Sequence, residues 1–407
     1  MNDDIPKLRS DIEFVPTSHK GEQAVLVRDS LGLVPEPVML HGDSLQMLQL
    51  IDGRNSIQDI QLIIMRNSGN VFVAKEAIRN YLHELDDIFL LESSRYQEHK
   101  RKLIDEYASS KIREAHLAGK VYPEDGEELS SYLETMVTEG GELADTAELQ
   151  DIRALIAPHI DLELGRRLYG MAYHSVRKIS PRRVVLLGTG HTLRGAFFSI
   201  TSKDFVTPLG TVTTDKAAVA SLRDSCGELL CPHDLDHRHE HSLEFQLIFL
   251  QYLFGEEFTL VPLLCGSFHW LLNSVSRPAD IPEMAQFLQS VRELIQEDSS
   301  TLLVAGVDLS HIGLKFGHGQ PASDLIEQAK VHDQRLLAAM CRGEVQEFWE
   351  ESRRVEDRYH VCGLSALACL LELAEPAQGR VLGYDFWQEE ETQSAVSFAA
   401  AVLTTKV

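Results

Sequence analysis

The chain has 407 residues, 44% of them hydrophobic and 25% charged, the balance of a water-soluble globular protein too long for one ordinary core. A formal charge of -24 opposes docking on a phosphate backbone, so nucleic acid is not an expected partner. No apolar run reaches the ~18 residues of a membrane span, and six cysteines without a Cys-x-x-Cys pair exclude a disulfide scaffold, a zinc ribbon and thioredoxin-like chemistry.

The opening Met-Asn-Asp-Asp-Ile-Pro-Lys is acidic and carries no apolar leader core, which predicts a cytoplasmic protein. Residues 1–95 read as a small separate domain. Ala24 to Arg28 is strand-like, and Leu33 to Leu40, with two prolines, reads as an edge hairpin. Gly42-Asp43-Ser44 precedes a helix with Leu45, Met47, Leu48 and Ile51 inward, stopped by Asp52-Gly53. Ser56 caps a second helix whose apolar face is Ile57, Ile60, Ile63 and Ile64. Val73 to Leu85 is a third helix, and Ile88 to Leu91 a closing strand. This is a small α+β, winged-helix-like plan. The stretch Leu50-Ile51-Asp52-Gly53-Arg54-Asn55-Ser56-Ile57-Gln58-Asp59-Ile60, with Tyr81-Leu82-His83-Glu84-Leu85 and Phe89-Leu90-Leu91, resembles the PqqD-like domains over residues 22–93. That resemblance implies a peptide bound by strand addition at the β-edge near Leu26, a helical cap without a ligand being the alternative.

Residues 96–112 are charged and read as a linker helix. Gly126 to Val137 looks helical, and Glu139 to Glu148 is a polar insertion with Gly140-Gly141 marking a loop. In the remaining domain, 113–407, short apolar runs alternate with amphipathic stretches. Strands are expected at 154–157, 183–187, 197–201, 258–264, 301–307, 380–385 and 395–403. Helices are expected at 165–178, 214–225, 242–253, 281–297, 322–341, 345–352 and 363–373. The fold class is α/β: a largely parallel or mixed central sheet covered by helices on both faces. In such sheets ligands bind beyond the carboxyl ends of the strands.

Three histidines stand just past expected strand ends: His159 after Pro158, His191 in Gly188-Thr189-Gly190-His191, and His311 in Val307-Asp308-Leu309-Ser310-His311. Imidazoles gathered at one rim suit metal binding or acid–base chemistry. Asp161 is positioned in sequence to fix the His159 tautomer, and Asp308 to pair with His311. The glycine turn before His191 lacks the third glycine of a dinucleotide fingerprint, and no serine stands there for a nucleophile elbow. Four histidines, His233, His237, His239 and His241, crowd the segment before Ser242. The first three read as a solvated loop. His241 opens an amphipathic helix with Glu244 three residues on, and these two read as functional, Glu244 orienting the ring. Cys362 precedes Gly363 at the start of an apolar helix, where the helix terminus favours thiolate. Cys369, within that helix, reads as a buried hydrophobe.

These segments occur in the order found in the Memo family. The matching pieces are Arg113 to Tyr122, Ile156-Ala157-Pro158-His159, Leu187 to His191, Glu240-His241-Ser242-Leu243-Glu244, Val307 to His311, Val361-Cys362-Gly363 and Ala395 to Ala400. The resemblance covers residues 110–407. It implies a fold similar to class III extradiol dioxygenases and a pocket in which His159, His191 and Cys362 hold a transition metal, iron or copper before zinc. His241 and His311 would line that pocket as proton carriers, with Asp308 and Glu244 orienting them. Bacterial members are associated with a radical S-adenosylmethionine protein and an AMMECR-type protein in the AmmeMemoRadiSam system, which implies those two partners. The sequence departs from the family pattern in Ile160-Asp161 after Pro158-His159 and in Thr192 after His191, and residues 1–95 read as an addition to the family. A thiol where dioxygenases carry a carboxylate sets oxygenase chemistry against other metal-dependent redox roles. The open alternatives are metal-assisted hydrolysis and a non-catalytic peptide- or partner-binding adaptor for a radical S-adenosylmethionine enzyme.

Overall fold

A computed structural model describes residues 5–405 apart from 20–21, 30, 35–37, 42, 70–71, 144–148, 150 and 375–376. It divides between Ser109 and Ser110. In the first unit β1 (Ile12–His19), β2 (Glu22–Asp29) and β3 (Val38–His41) form an antiparallel sheet with β2 in the middle. Leu26 pairs with Val15 on one side and Met39 on the other, so it lies in the centre of the sheet and not at the expected edge. β1 escaped the sequence reading because Pro16 interrupts its apolar pattern, and an edge strand tolerates that proline. Pro35, Pro37 and Gly42 of the expected hairpin and helix start lie outside the described residues.

Helices α1 (Asp43–Leu48), α2 (Ile57–Asn67) and α3 (Lys75–Asp87) follow. Ser56 caps α2 reciprocally: its hydroxyl accepts from Asp59 N at 3.2 Å, and the Asp59 carboxylate accepts from Ser56 N at 2.9 Å. Ile51, Ile57, Ile60, Ile78, Leu85, Leu90 and Leu91 form the core beneath. The strand expected at Ile88–Leu91 does not form. Phe89 turns the chain at φ +58°, and only Leu91 bridges, to Leu8. The expected linker is α4 (Ser94–Ser109), which is tied into this unit by Tyr96, whose hydroxyl donates to Asp11 at 2.7 Å.

The second unit contains β4 (Ile112–Glu114), α5 (Gly126–Leu143), β5 (Ile152–Ala157), α6 (Arg166–Val176), β6 (Arg183–Thr189), β7 (Phe198–Ile200), β8 (Asp204–Thr207), β9 (Gly210–Val212), α7 (Lys216–Cys226), α8 (His241–Phe254), β10 (Thr259–Cys265), α9 (Pro282–Glu297), β11 (Thr301–Gly306), β12 (His311–Gly313), α10 (Ile326–Arg342), α11 (Val345–Arg354), α12 (Leu364–Ala374), β13 (Ala377–Glu389) and β14 (Ser394–Thr405). The central sheet runs β12-β14-β5-β11-β6-β10-β7, with β13 on β14; β4, β8 and β9 make a small separate sheet. Strands β5, β11, β6 and β10 are parallel and the others antiparallel, so the sheet is mixed.

Both faces are covered, which explains the nearly unbroken apolar strands. Val185 and Leu187 of β6 enter a core with α7, α9 and α12, whereas Val184 and Leu186 enter one with α5, α6 and α8. The expected loop at Gly140-Gly141 is instead the last turn of α5. A Cβ on Gly140 would stand 2.1 Å from the carbonyl carbon of Gly170, so the missing side chain lets α5 and α6 touch backbone to backbone. The rest of that insertion, 144–148, lies outside the described residues.

Because β5, β6 and β11 run parallel, the segments leaving their carboxyl ends emerge at one rim. The start of α8 is pressed against that rim, since a Cβ on Gly306 would meet the Ser242 carbonyl at 2.3 Å.

Candidate metal centre

His159 is buried behind Pro158 at the end of β5, 3% exposed. Its Nδ1 stands 3.0 Å from the Gly306 carbonyl, which can only accept, so Nδ1 carries the proton and Nε2 is left with its lone pair. Nε2 faces Cys362 Sγ at 3.4 Å. Asp161, expected to fix this ring, instead accepts from Glu163 N at 3.0 Å; a main-chain carbonyl of β11 does the fixing.

His191, past the end of β6, places Nδ1 at 3.0 Å from both oxygens of Glu240, and the same carboxylate accepts from His191 N at 3.1 Å. His191 Nε2 is thereby turned away from the carboxylate. Glu240 also accepts from Ser242 N at 2.9 Å as the N-cap of α8, and stands 3.4 Å from His241 Nδ1. His241 stacks on His191 at 4.7 Å between ring centroids, with His159 edge-on to both at 5.1 and 5.0 Å. Cys362, just before α12, completes the group. Nitrogens of His159 and His191 and the Cys362 sulfur lie within 4.8 Å of one another, as do donor atoms of His191, Glu240 and His241.

Electrostatics follow the burial. Desolvation and the neighbouring His191 and His241 hold His159 well below the ordinary imidazole value. Burial opposes a charge on His191 too, but the Glu240 carboxylate outweighs it and raises that ring. Burial likewise opposes ionisation of Glu240, and the His191 and His241 rings reverse the balance, holding its carboxyl well below the usual range. The Cys362 thiol is pushed well above its usual value by burial and by Asp308, so the helix terminus does not produce the expected thiolate. Burial raises Asp308 to about 7, against hydrogen bonds from the backbone of His159 and Ile160.

Two expected pairings are replaced by others. Asp308 accepts from His159 N at 2.9 Å and stands 3.7 Å from His159 Nε2, so it serves His159 and not His311. His311 holds Leu309 O with Nδ1 at 3.0 Å, packs edge-on against Phe316, and is pushed down to about 4 by burial. The Glu244 carboxylate is occupied away from the His241 ring. It accepts from Arg113, from His116 N at 2.9 Å, from Leu117 N at 2.8 Å and from the Tyr122 hydroxyl at 2.6 Å. Arg113, 2% exposed, also donates to the carbonyls of His237 and Glu240. The segment Arg113–Tyr122 thus clamps the start of α8, a role no local pattern announces.

The solvated-loop reading of His233, His237 and His239 also changes. His237 is 1% exposed, and His239 stacks on His116 at 4.1 Å. His233 stands beside Cys231 and Asp236. Cys369 is buried as expected.

A family profile described as Memo-like protein matches residues 113–402. The chain belongs to the Memo-like family. It is 26% identical over 400 residues to a MEMO1 family protein of Aquifex aeolicus, an alignment spanning 97% of this chain and the whole of that one. A MEMO1 family protein of Thermus thermophilus is 28% identical over 354 residues, 87% of this chain and all of its own length. One from Methanopyrus kandleri is 32% identical over 286 residues, 67% of this chain and 91% of its own. The alignment with the Aquifex protein runs through the amino-terminal unit, so residues 1–95 are not a private addition to this Memo-like chain.

Proposed function

We propose that this Memo-like protein holds a transition metal through His159, His191 and Cys362 and uses it in metal-dependent redox chemistry. The observation that carries the reading is the pair of imidazoles whose Nδ1 protons are engaged by Gly306 O and by Glu240, which leaves the Nε2 lone pairs free, with His159 Nε2 3.4 Å from the Cys362 thiol and a nitrogen of His191 in the same group within 4.8 Å. Metal-ligating histidines characteristically give their far nitrogen to such a carbonyl or carboxylate. A soft sulfur with two imidazoles accommodates copper, iron or zinc, and the proposed redox role calls for copper or iron.

When bound, such an ion supplies one-electron chemistry and a Lewis acid. The chain's own residues bind, orient and move protons. Glu240 keeps His191 in one tautomer and supplies a buried negative charge opposite the ligand atoms. Asp308, near neutrality, stands beside His159 Nε2 as a proton donor or acceptor. The neutral His311 ring, its Nδ1 proton held by Leu309 O, offers Nε2 as an acceptor, and His241 lies stacked on His191, both side chains 36% exposed.

The test is electron paramagnetic resonance of protein loaded with copper or iron and cycled with a mild reductant and oxidant. The reading expects a signal that appears and disappears reversibly and changes in Cys362→Ser. Protein that takes up zinc but neither redox metal would contradict it.

A further inference from the structure

We propose a second metal site, for a zinc-class divalent ion, formed by Cys231, His233 and Asp236 and sharing no ligand with the first. Cys231 Sγ stands 3.6 Å from His233 Nδ1 and 3.5 Å from Asp236 Oδ2, and Nδ1 and Oδ2 are 3.8 Å apart. Tetrahedral zinc, with bonds of about 2.3 Å to sulfur and about 2.0–2.1 Å to nitrogen and oxygen, requires separations of about 3.5–3.6 Å from sulfur and about 3.3 Å between nitrogen and oxygen. Both sulfur distances already fit, and a small rotation of the carboxylate closes the third.

The loop is pinned for the task. Cys231 N donates to Phe198 O at 2.8 Å, and Pro232 fixes the turn between the first two ligands. Asp234, the other carboxylate of the loop, is taken by the Thr201 hydroxyl at 2.5 Å and stands 3.5 Å from Lys203 Nζ, leaving Asp236 as the ligand. Thr192 donates to the second oxygen of Asp236 at 2.9 Å, which orients the carboxylate as outer hydrogen bonds orient metal ligands elsewhere. Cys231 and Asp236 are buried, whereas His233 is 25% exposed at its side chain, so the fourth position opens toward solvent. A bound ion would fasten this loop to Thr192, next to His191, and four residues ahead of Glu240.

The test is run in a His159→Ala/His191→Ala/Cys362→Ser background, which breaks both donor groups of the first pocket. After chelation and desalting, zinc is added and the bound equivalents are counted by elemental mass spectrometry. About one equivalent is expected, lost on adding His233→Ala. A background that binds no zinc, or one that keeps its equivalent without His233, overturns the proposal. In the wild-type protein, zinc is expected to slow hydrogen exchange of the backbone amides across residues 231–236, read on the peptide mass. An unchanged rate overturns it as well.

Discussion

Glu240 receives the His191 Nδ1 proton between its two carboxylate oxygens, each 3.0 Å away, while capping the helix that begins with His241. One side chain therefore sets the tautomer of the His191 imidazole and the position of the neighbouring ring. Replacing it with glutamine keeps the volume and removes the charge. Glu240→Gln is predicted to weaken metal binding by about 10–100-fold, measured by competition with a chelator of known affinity. Unchanged affinity in a folded variant would remove Glu240 from the account.

Arg113 and Glu244 form a buried ion pair, each nearly inaccessible. Deleting one partner strands the other charge, so Arg113→Ala is predicted to cost about 3–5 kcal/mol of stability in chemical denaturation. The variant also frees the His237 and Glu240 carbonyls, and metal affinity is expected to fall with stability.

The contact of α5 with α6 at Gly140 leaves no room for a side chain. Gly140→Val is predicted to destabilise by at least about 1–3 kcal/mol through overpacking, while Glu142→Ala two residues on, at an exposed position, changes stability by less than about 0.5 kcal/mol. Thermal denaturation of the two variants side by side checks this.

Asp333 is fully buried and accepts from the hydroxyls of Ser310, Ser397 and Tyr384 at 2.6, 2.6 and 2.7 Å. Burial outweighs these bonds and raises its carboxyl from 3.8 to about 6. A carboxyl raised in the folded state favours folding while it stays protonated. Its contribution is complete below about pH 4 and is lost as pH climbs through about 6, by roughly 3 kcal/mol at most. The wild-type-minus-variant stability difference for Asp333→Asn should therefore fall across that window. A difference independent of pH would show that Asp333 does not titrate there.

The gathering of His159 and His191 is legible because each imidazole follows an apolar run at a strand end, and parallel strands bring such ends to one rim. Cys362 entered through its place before a helix and through the family pattern. The carboxylates pair otherwise than local spacing suggests. Glu244 sits three residues from His241, the spacing of neighbours on a helix face, yet Arg113 and Tyr122, more than 120 positions away, claim its oxygens. Glu240 carried a readable signal, an acidic residue just ahead of a helix start, but nothing local shows that it also reaches the loop after β6. Gly140-Gly141 is helical although a glycine pair equally signals a turn, because glycine serves both turns and close helix contacts and only the partner helix distinguishes them.

Metal content of freshly purified wild-type protein, read by elemental mass spectrometry beside His159→Ala and Cys362→Ala with copper and iron counted separately from zinc, decides whether this pocket holds a redox metal. Near-stoichiometric copper or iron is expected in the wild type and none in either variant. Wild-type protein that holds neither metal and takes up neither when offered would contradict the redox-metal reading.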